Sequence, residues 1–203
     1  MSRYPTANTS GSKSRFIEMF GDVETNSKKW PVKKLGDIAF IKIGPFGSTL
    51  HKEDCVVGGH PLVNPSHIVE GNIIIDPELA VSDEKYAELD SYHLHVNDIV
   101  MGRRGEMGRC AIVKSDGMLC GTGSLIIRTL GDIKPFFLQR MLSSPTYRAI
   151  LERNAVGTTM MNLNVDIVSR LDIPILPAEK QDSFWQIVEQ ADKSGFVSSN
   201  RGL

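Results

Sequence analysis

The residues best suited to chemistry are two adjacent arginines, Arg103 and Arg104, within Met101-Gly102-Arg103-Arg104-Gly105-Glu106-Met107-Gly108-Arg109. Glycines on both sides let the backbone turn sharply and approach a ligand closely. A guanidinium is a planar fork whose two parallel N–H bonds match guanine O6/N7 or a phosphate. The competing reading is a solvated turn whose arginines pair with Glu106 or Asp98. A second loop, residues 44–48, ends at Ser48 and leads to Thr49, His51 and Lys52. These small polar and cationic groups suit a groove or a phosphate, and a plain connection between strands explains them equally well. The loop lacks the G-K-[ST] ending of a nucleotide-binding P-loop. Thr158, Thr159, Asn162 and Asn164 follow Gly157. An Asn amide can bond adenine N6/N7, and Thr can meet a phosphate or a thymine methyl. Asn164 is also placed to cap a following helix. Gly121-Thr122-Gly123-Ser124 could bring backbone N–H groups to a phosphate, or be a tight turn entering a strand. Lys28, Lys29, Lys33 and Lys34 form a short basic patch, which as a rule only solvates a surface.

Enzyme readings find less support. His93-x-His95 with Asp90 or Asp98 could be drawn as a metal site, but no C-x-x-C or H-E-x-x-H spacing accompanies it. Cys55 and Cys120 could pair with a histidine as nucleophiles, although buried structural cysteines are far commoner. No Asn/Asp-Pro-Pro-Tyr/Phe motif and no glycine-rich methyl-donor fingerprint occur. The expectation is a chain with no catalytic residue, no metal and no cofactor.

The elements that would position the loops read as short strands broken by turn residues. Strands are predicted over residues 37–43, 60–64, 72–76, 98–101, 110–113 and 124–128, from Val/Ile enrichment and flanking Gly, Asn, Asp and Pro. Residues 60–64 are the weakest, because Pro61 suits only a strand start or an edge. Helices are predicted at 135–143 and 145–154, with a short one at 164–170 and a late strand at 171–176. Pro177 opens a final helix in which Phe184, Ile187, Val188 and Ala191 recur at i, i+3, i+4 and i+7. That stripe packs on its own domain or begins a longer helix that pairs with another. Strands first and helices late fit an α/β chain of the α+β type better than a doubly wound sheet.

Length and composition set the outer bounds. The 203 residues allow one domain plus appendages, and 41% hydrophobic with 23% charged residues is ordinary for a globular protein. No window approaches the roughly 18 apolar residues of a membrane span, and the polar N-terminus is no signal peptide. Three cysteines without paired spacing suggest reduced thiols and a cytoplasmic location. The net charge of −1 weighs against a free-standing DNA binder. It is compatible with one only if positive charge gathers on one face or a partner supplies phosphate contacts.

Several stretches, in order, resemble the specificity subunit of type I restriction–modification systems. Phe16-Ile17-Glu18-Met19-Phe20-Gly21-Asp22 looks like the end of that family's helical spacer, and Trp30-Pro31-Val32-Lys33-Lys34-Leu35-Gly36-Asp37-Ile38 like the opening strand of its recognition domain. Gly44-Pro45-Phe46-Gly47-Ser48, Asn97-Asp98-Ile99-Val100-Met101, the arginine loop and Gly121-Thr122-Gly123-Ser124 follow. The exit is Gly157-Thr158-Thr159-Met160-Met161-Asn162-Leu163-Asn164, then Ile173-Pro174-Ile175-Leu176-Pro177, with Gln181 and Phe184 where a next spacer helix begins. The resemblance implies a strongly bent mixed β-sheet with packed helices, a target-recognition domain over 30–177. Residues 1–14 would be a disordered leader, 15–29 the end of a spacer helix and a linker, and 178–203 the start of another spacer helix and a tail. Members usually carry two such domains in a chain about twice as long, so this one looks like a half-subunit or a fragment.

It also implies partners: double-stranded DNA, a modification (methyltransferase) subunit and a restriction (motor nuclease) subunit. The stripe at Phe184, Ile187, Val188 and Ala191, in a chain with one such domain, adds as a further hypothesis a homodimer through the terminal helices. The DNA-contacting set expected on this basis is Arg103, Arg104, Arg109, Ser48, Thr49, His51, Lys52, Thr122, Ser124, Thr158, Thr159 and Asn162. The alternative is a protein-interaction module that binds the modification subunit without reading DNA.

Overall fold

The computed structural model describes residues 21, 25–105, 107–157 and 161–186. The expected strand from Asp37 begins instead as one helical turn, α1 (Leu35–Ile38), between β1 (Val32–Lys34) and β2 (Ala39–Ile43). Leu35 and Ile38 are both buried. A helical turn puts residues three apart on one face, whereas a strand would send them to opposite sides.

β3 (Cys55–Val56), β4 (His60–Val63), β5 (Ile68–Val69), β6 (Asn72–Ile73) and β7 (Ala80–Val81) precede α2 (Asp83–Glu88). Then come β8 (His93–Leu94), β9 (Ile99–Gly102), β10 (Cys110–Ile112), β11 (Met118–Cys120) and β12 (Ser124–Thr129). The helices α3 (Pro135–Leu142), α4 (Pro145–Asn154) and α5 (Val165–Ser169) follow, then β13 (Asp172–Pro174) and a helical stretch at 178–186. Ser144 caps α4 by accepting from Tyr147 N–H, and Asn164 caps α5 by accepting from Ile167 N–H.

The fold is α+β in three layers. An antiparallel sheet in the order β10-β9-β12-β2 lies between the helices and a mixed sheet in the order β3-β7-β4-β11-β8. Its strands show almost no polar alternation because both faces are covered. Ile99 and Met101, Cys110 and Ile112, and Leu125 and Ile127 join Phe136, Phe137, Leu138 and Leu151 on the helical side. Val100, Ala111 and Ile126, the residues between them, join Val63, Leu94, Met118 and Cys120 of the mixed sheet. The parallel pairing expected of a mixed sheet is that of β4 with β11.

Pro61 is accommodated in that sheet. β4 pairs with β7 through His60 and Pro61 and with β11 through Leu62 and Val63, so the proline sits where pairing passes from one neighbour to the other. The strand expected over 72–76 is cut to β6, because its partner β5 is preceded by a 3-10 turn at Pro65–His67, leaving Ile74 and Ile75 exposed. The short β3, β7, β8 and β11, and α2 with its Ser82 cap, went unpredicted. At the C-terminal end Phe184 is buried against Phe137, and Gln181 accepts from Lys134 N–H while donating to Leu176 O. The stripe therefore begins by packing on this core; Ile187, Val188 and Ala191 lie outside the described residues, as do 15–20. No helix among the described residues is long and apolar enough to cross a membrane.

Candidate nucleic-acid interface

The 103–109 loop joins β9 to β10, closed by Gly102 N–H to Arg109 O (2.9 Å) and Gly108 N–H to Gly102 O (3.1 Å). Gly105 and Gly108 take positive φ, the conformation glycine tolerates best. One leg of the loop is stitched to two other segments. Arg103 N–H donates to Gly123 O, and Arg103 O accepts from Leu163 N–H, both at 3.0 Å. Arg104 forms an antiparallel bridge with Asn162, which also bridges Val156. The 44–48 loop arrives from the other side: Gly44 N–H donates to Ser124 O at 3.0 Å, and a Cβ on Gly44 would lie 2.0 Å from Gly121 O. Gly121 and Gly123 in turn press on Asn64 and Pro65. Backbone contacts thus gather the loops at 44, 64, 103, 121 and 162 along one edge.

The polar groups of this edge are unusual in what they lack. Arg103 is only 3% exposed, yet its Nε has no hydrogen-bond partner. None of the ion pairs among the described residues includes Arg103 or Arg104. Burial, and then the neighbouring Arg104 cation, push the Arg103 pKa below its ordinary value, although an arginine stays protonated throughout. Arg104 Nε, Ser124 Oγ and Asn162 Oδ1 are likewise buried and unpartnered. Buried polar groups are nearly always satisfied, so four unused atoms in one neighbourhood need a reason. Residues directly opposite in an antiparallel bridge project from the same face. Arg104 and Asn162 therefore present a donor and an acceptor together, which is what a base edge requires.

The remaining candidates divide. Thr122 is half-buried in the turn beside Gly121 and Gly123. Ser124 is fully buried at the start of β12, because both faces of that strand are covered. Arg109 ends the loop on its far leg, its Nη1 donating to Ile68 O at 3.4 Å. Ser48 and Thr49 sit in a turn closed by Thr49 N–H to Phe46 O. His51 and Lys52 are exposed but belong to the connection into β3, where His51 N–H donates to Asp54. No hydrogen bond among those described joins them to the arginine loop. Thr158 and Thr159 lie outside the described residues, as does Glu106. Asp98 is not a partner of the loop arginines: Arg128 Nε and Nη2 grip its carboxylate at 2.7 Å each. Asn64, unremarked in the sequence, joins the edge; its signal was the turn-forming Asn-Pro dipeptide.

The described residues do not gather the histidine pair into a ligand cluster. His93 stacks on Tyr86 at 3.7 Å and meets His95 edge-on at 6.5 Å, and no group of three potential ligands occurs among the described residues. Cys110 and Cys120 are fully buried; burial pushes the Cys110 thiol up to about 12 and Cys120 upward too, so both stay protonated.

The fold and this edge define an α+β domain whose loops converge around unsatisfied cations. The chain belongs to the family described as the type I restriction modification DNA specificity domain, whose model matches residues 27–199. Among solved structures it is similar to the HsdS subunit from Thermoanaerobacter tengcongensis, with TM-score 0.68 and 15% identity over 95% of this chain and 45% of that one. It is also similar to the type I restriction-modification S subunit from M. genitalium, with TM-score 0.57 and 16% identity over 84% of this chain and 41% of that one. The chain therefore spans less than half the length of these relatives. No curated protein sequence matches it.

Proposed function

We propose that this domain reads one half of a bipartite site in duplex DNA and selects where a partner methyltransferase and a motor nuclease act. Arg104 and Asn162 test base edges, Arg103 sets the potential behind them, and Thr122, Thr158, Thr159 and the 44–48 loop with Ser48 and Thr49 hold the flanking backbone. Residues 30–177 are the reading domain in this view. The observation that carries the reading is the buried, unpartnered guanidinium Nε of Arg103 and of Arg104 where five loops meet. A buried charge without a partner is costly, and a phosphate or a guanine edge would relieve that cost where no ion pair among the described residues does. Phosphate contacts set register and base contacts give specificity, so selection needs few side chains and no catalytic group.

DNA affinity of the chain with its modification subunit, measured against salt, tests this. Affinity should fall with a log–log slope of roughly −0.9 per neutralised phosphate. Affinity indifferent to salt, or none at all, would favour a module that only binds the modification subunit. Pairing of two copies through the terminal helix is a finer proposal, motivated by the 184–191 stripe. Phe184 is already buried in this domain, so such pairing would begin beyond it. A clean monomer in sedimentation at high concentration would refute it.

A further inference from the structure

On the other leg of the arginine loop lies a cavity of about 350 Å³, lined by Arg109, Arg148, Ser143, Ile68, Glu70 and Gly71. Arg148 belongs to α4, where nothing in the sequence distinguishes it from an ordinary solvated helix residue. Its Nε is buried without a hydrogen-bond partner, and none of the ion pairs among the described residues includes it. It adjoins the loop directly: a Cβ on Gly108 would stand 3.2 Å from Arg148 Cγ and from Leu151 Cδ1. The opposite wall is the β5–β6 turn, where Glu70 and Gly71 take positive φ as a two-residue hairpin demands. Among the described residues Glu70 is the sole carboxylate on the cavity wall, and it is exposed at the hairpin tip. The 103–109 loop thus carries cations on both sides, Arg103 and Arg104 on one and Arg109 and Arg148 on the other.

A loop that enters a groove of duplex DNA has a phosphate chain on either side of it. We propose that Arg148, with Arg109, holds a backbone phosphate of the duplex whose groove receives the 103–109 loop. The inference rests on the DNA reading above and adds a helix residue that fixes register without reading sequence. Guanidinium and phosphate match as fork to fork, and the Ser143 hydroxyl supplies a further donor.

The experiment uses the full chain with its modification subunit and a duplex containing the methylated site, titrated from 50 to 200 mM salt. Arg148→Met keeps the stem that packs on Gly108 and removes the charge. Its slope should shrink by about 0.9, so the wild type loses about 3.5-fold more affinity than the variant over that range. The order in which different DNA sequences bind should be kept, whereas Arg104→Ala should change it. Arg148→Lys should retain the slope, which separates loss of charge from loss of folding. Glu70→Gln should bind more tightly than wild type. A salt-dependent wild type with an unchanged slope in Arg148→Met overturns the phosphate site alone. A wild type without salt-dependent DNA binding overturns the reading and this site with it.

Discussion

The pairing of β9 with β12 has two ends, and each end carries an arginine in opposite circumstances. At one end Arg128 closes on Asp98, two bonds of 2.7 Å to a carboxylate only 2% exposed, which also accepts from His95 N–H. The grip raises the Arg128 pKa. At the other end, where Ser124 pairs with Gly102, Arg103 is as deeply buried as Asp98 but forms no ion pair with a carboxylate among the described residues. One end is internally complete; the other leaves Arg103 Nε without a hydrogen-bond partner. The sheet that frames both is the same, so the difference lies in which residues face each cation, and it separates a structural arginine from the one proposed to bind.

The largest expected effect breaks the closed end. Arg128→Ala strands the Asp98 carboxylate without its cation, and breaking a buried pair costs about 3–5 kcal/mol. Partial exposure of Arg128 sets the expectation at the low end, about 3 kcal/mol, read as a lower urea midpoint with DNA sequence preference intact. The open end should respond with the other sign on stability. Arg103→Met removes a buried charge that no ion pair among the described residues compensates, so the melting temperature should hold or rise. DNA affinity should fall about 5- to 150-fold, the equivalent of about 1–3 kcal/mol. A loss of stability in Arg103→Met matching that of Arg128→Ala would show that Arg103 is held from within and remove it from the interface.

Much of this frame was legible in the sequence. The cores of β9, β10 and β12 and the extents of α3 and α4 follow from apolar runs and from Pro135 and Pro145 at helix starts. The Arg103-Arg104 loop and the glycine loops were legible as candidates because glycine marks backbone that must turn or be approached. What periodicity could not reveal was long-range. β7, β8 and β11 are two or three residues long and exist only because β4 lies between β7 and β11. Whether Asp98 would face Arg128 or Arg103 depended on pairing register, since residues 98 and 128 are thirty apart. Arg148 carried no local signal, because its role depends on Gly108 and the β5–β6 turn meeting α4.

A smaller effect concerns how the open end is assembled. Gly44 has no room for a side chain, its missing Cβ being 2.0 Å from a backbone oxygen that cannot rotate away. Gly44→Ala should force the 44–48 loop off the Gly121 turn, costing about 1–3 kcal/mol as overpacking does. DNA affinity should drop with it, while Gly47→Ala, with nothing within 4 Å, should leave stability within about 0.5 kcal/mol. Equal behaviour of the two alanines would mean that the loop does not depend on that close approach.

The finest distinction is between two serines. Ser144 accepts from Tyr147 N–H at the start of α4, so Ser144→Ala should cost about 1 kcal/mol, as loss of a cap does. Ser124 Oγ is buried at the open end with no partner, so its hydroxyl is already a burden in the free domain. Ser124→Ala should therefore leave the free protein unchanged or slightly stabler by thermal melting, although the residue is the more buried of the two. If the hydroxyl acquires a partner when DNA binds, the same substitution should weaken the complex while sparing the free domain. If it weakens the free domain by as much as Ser144→Ala does, the hydroxyl is satisfied without a ligand, and the contrast between the two ends of the sheet loses one of its four unpartnered atoms.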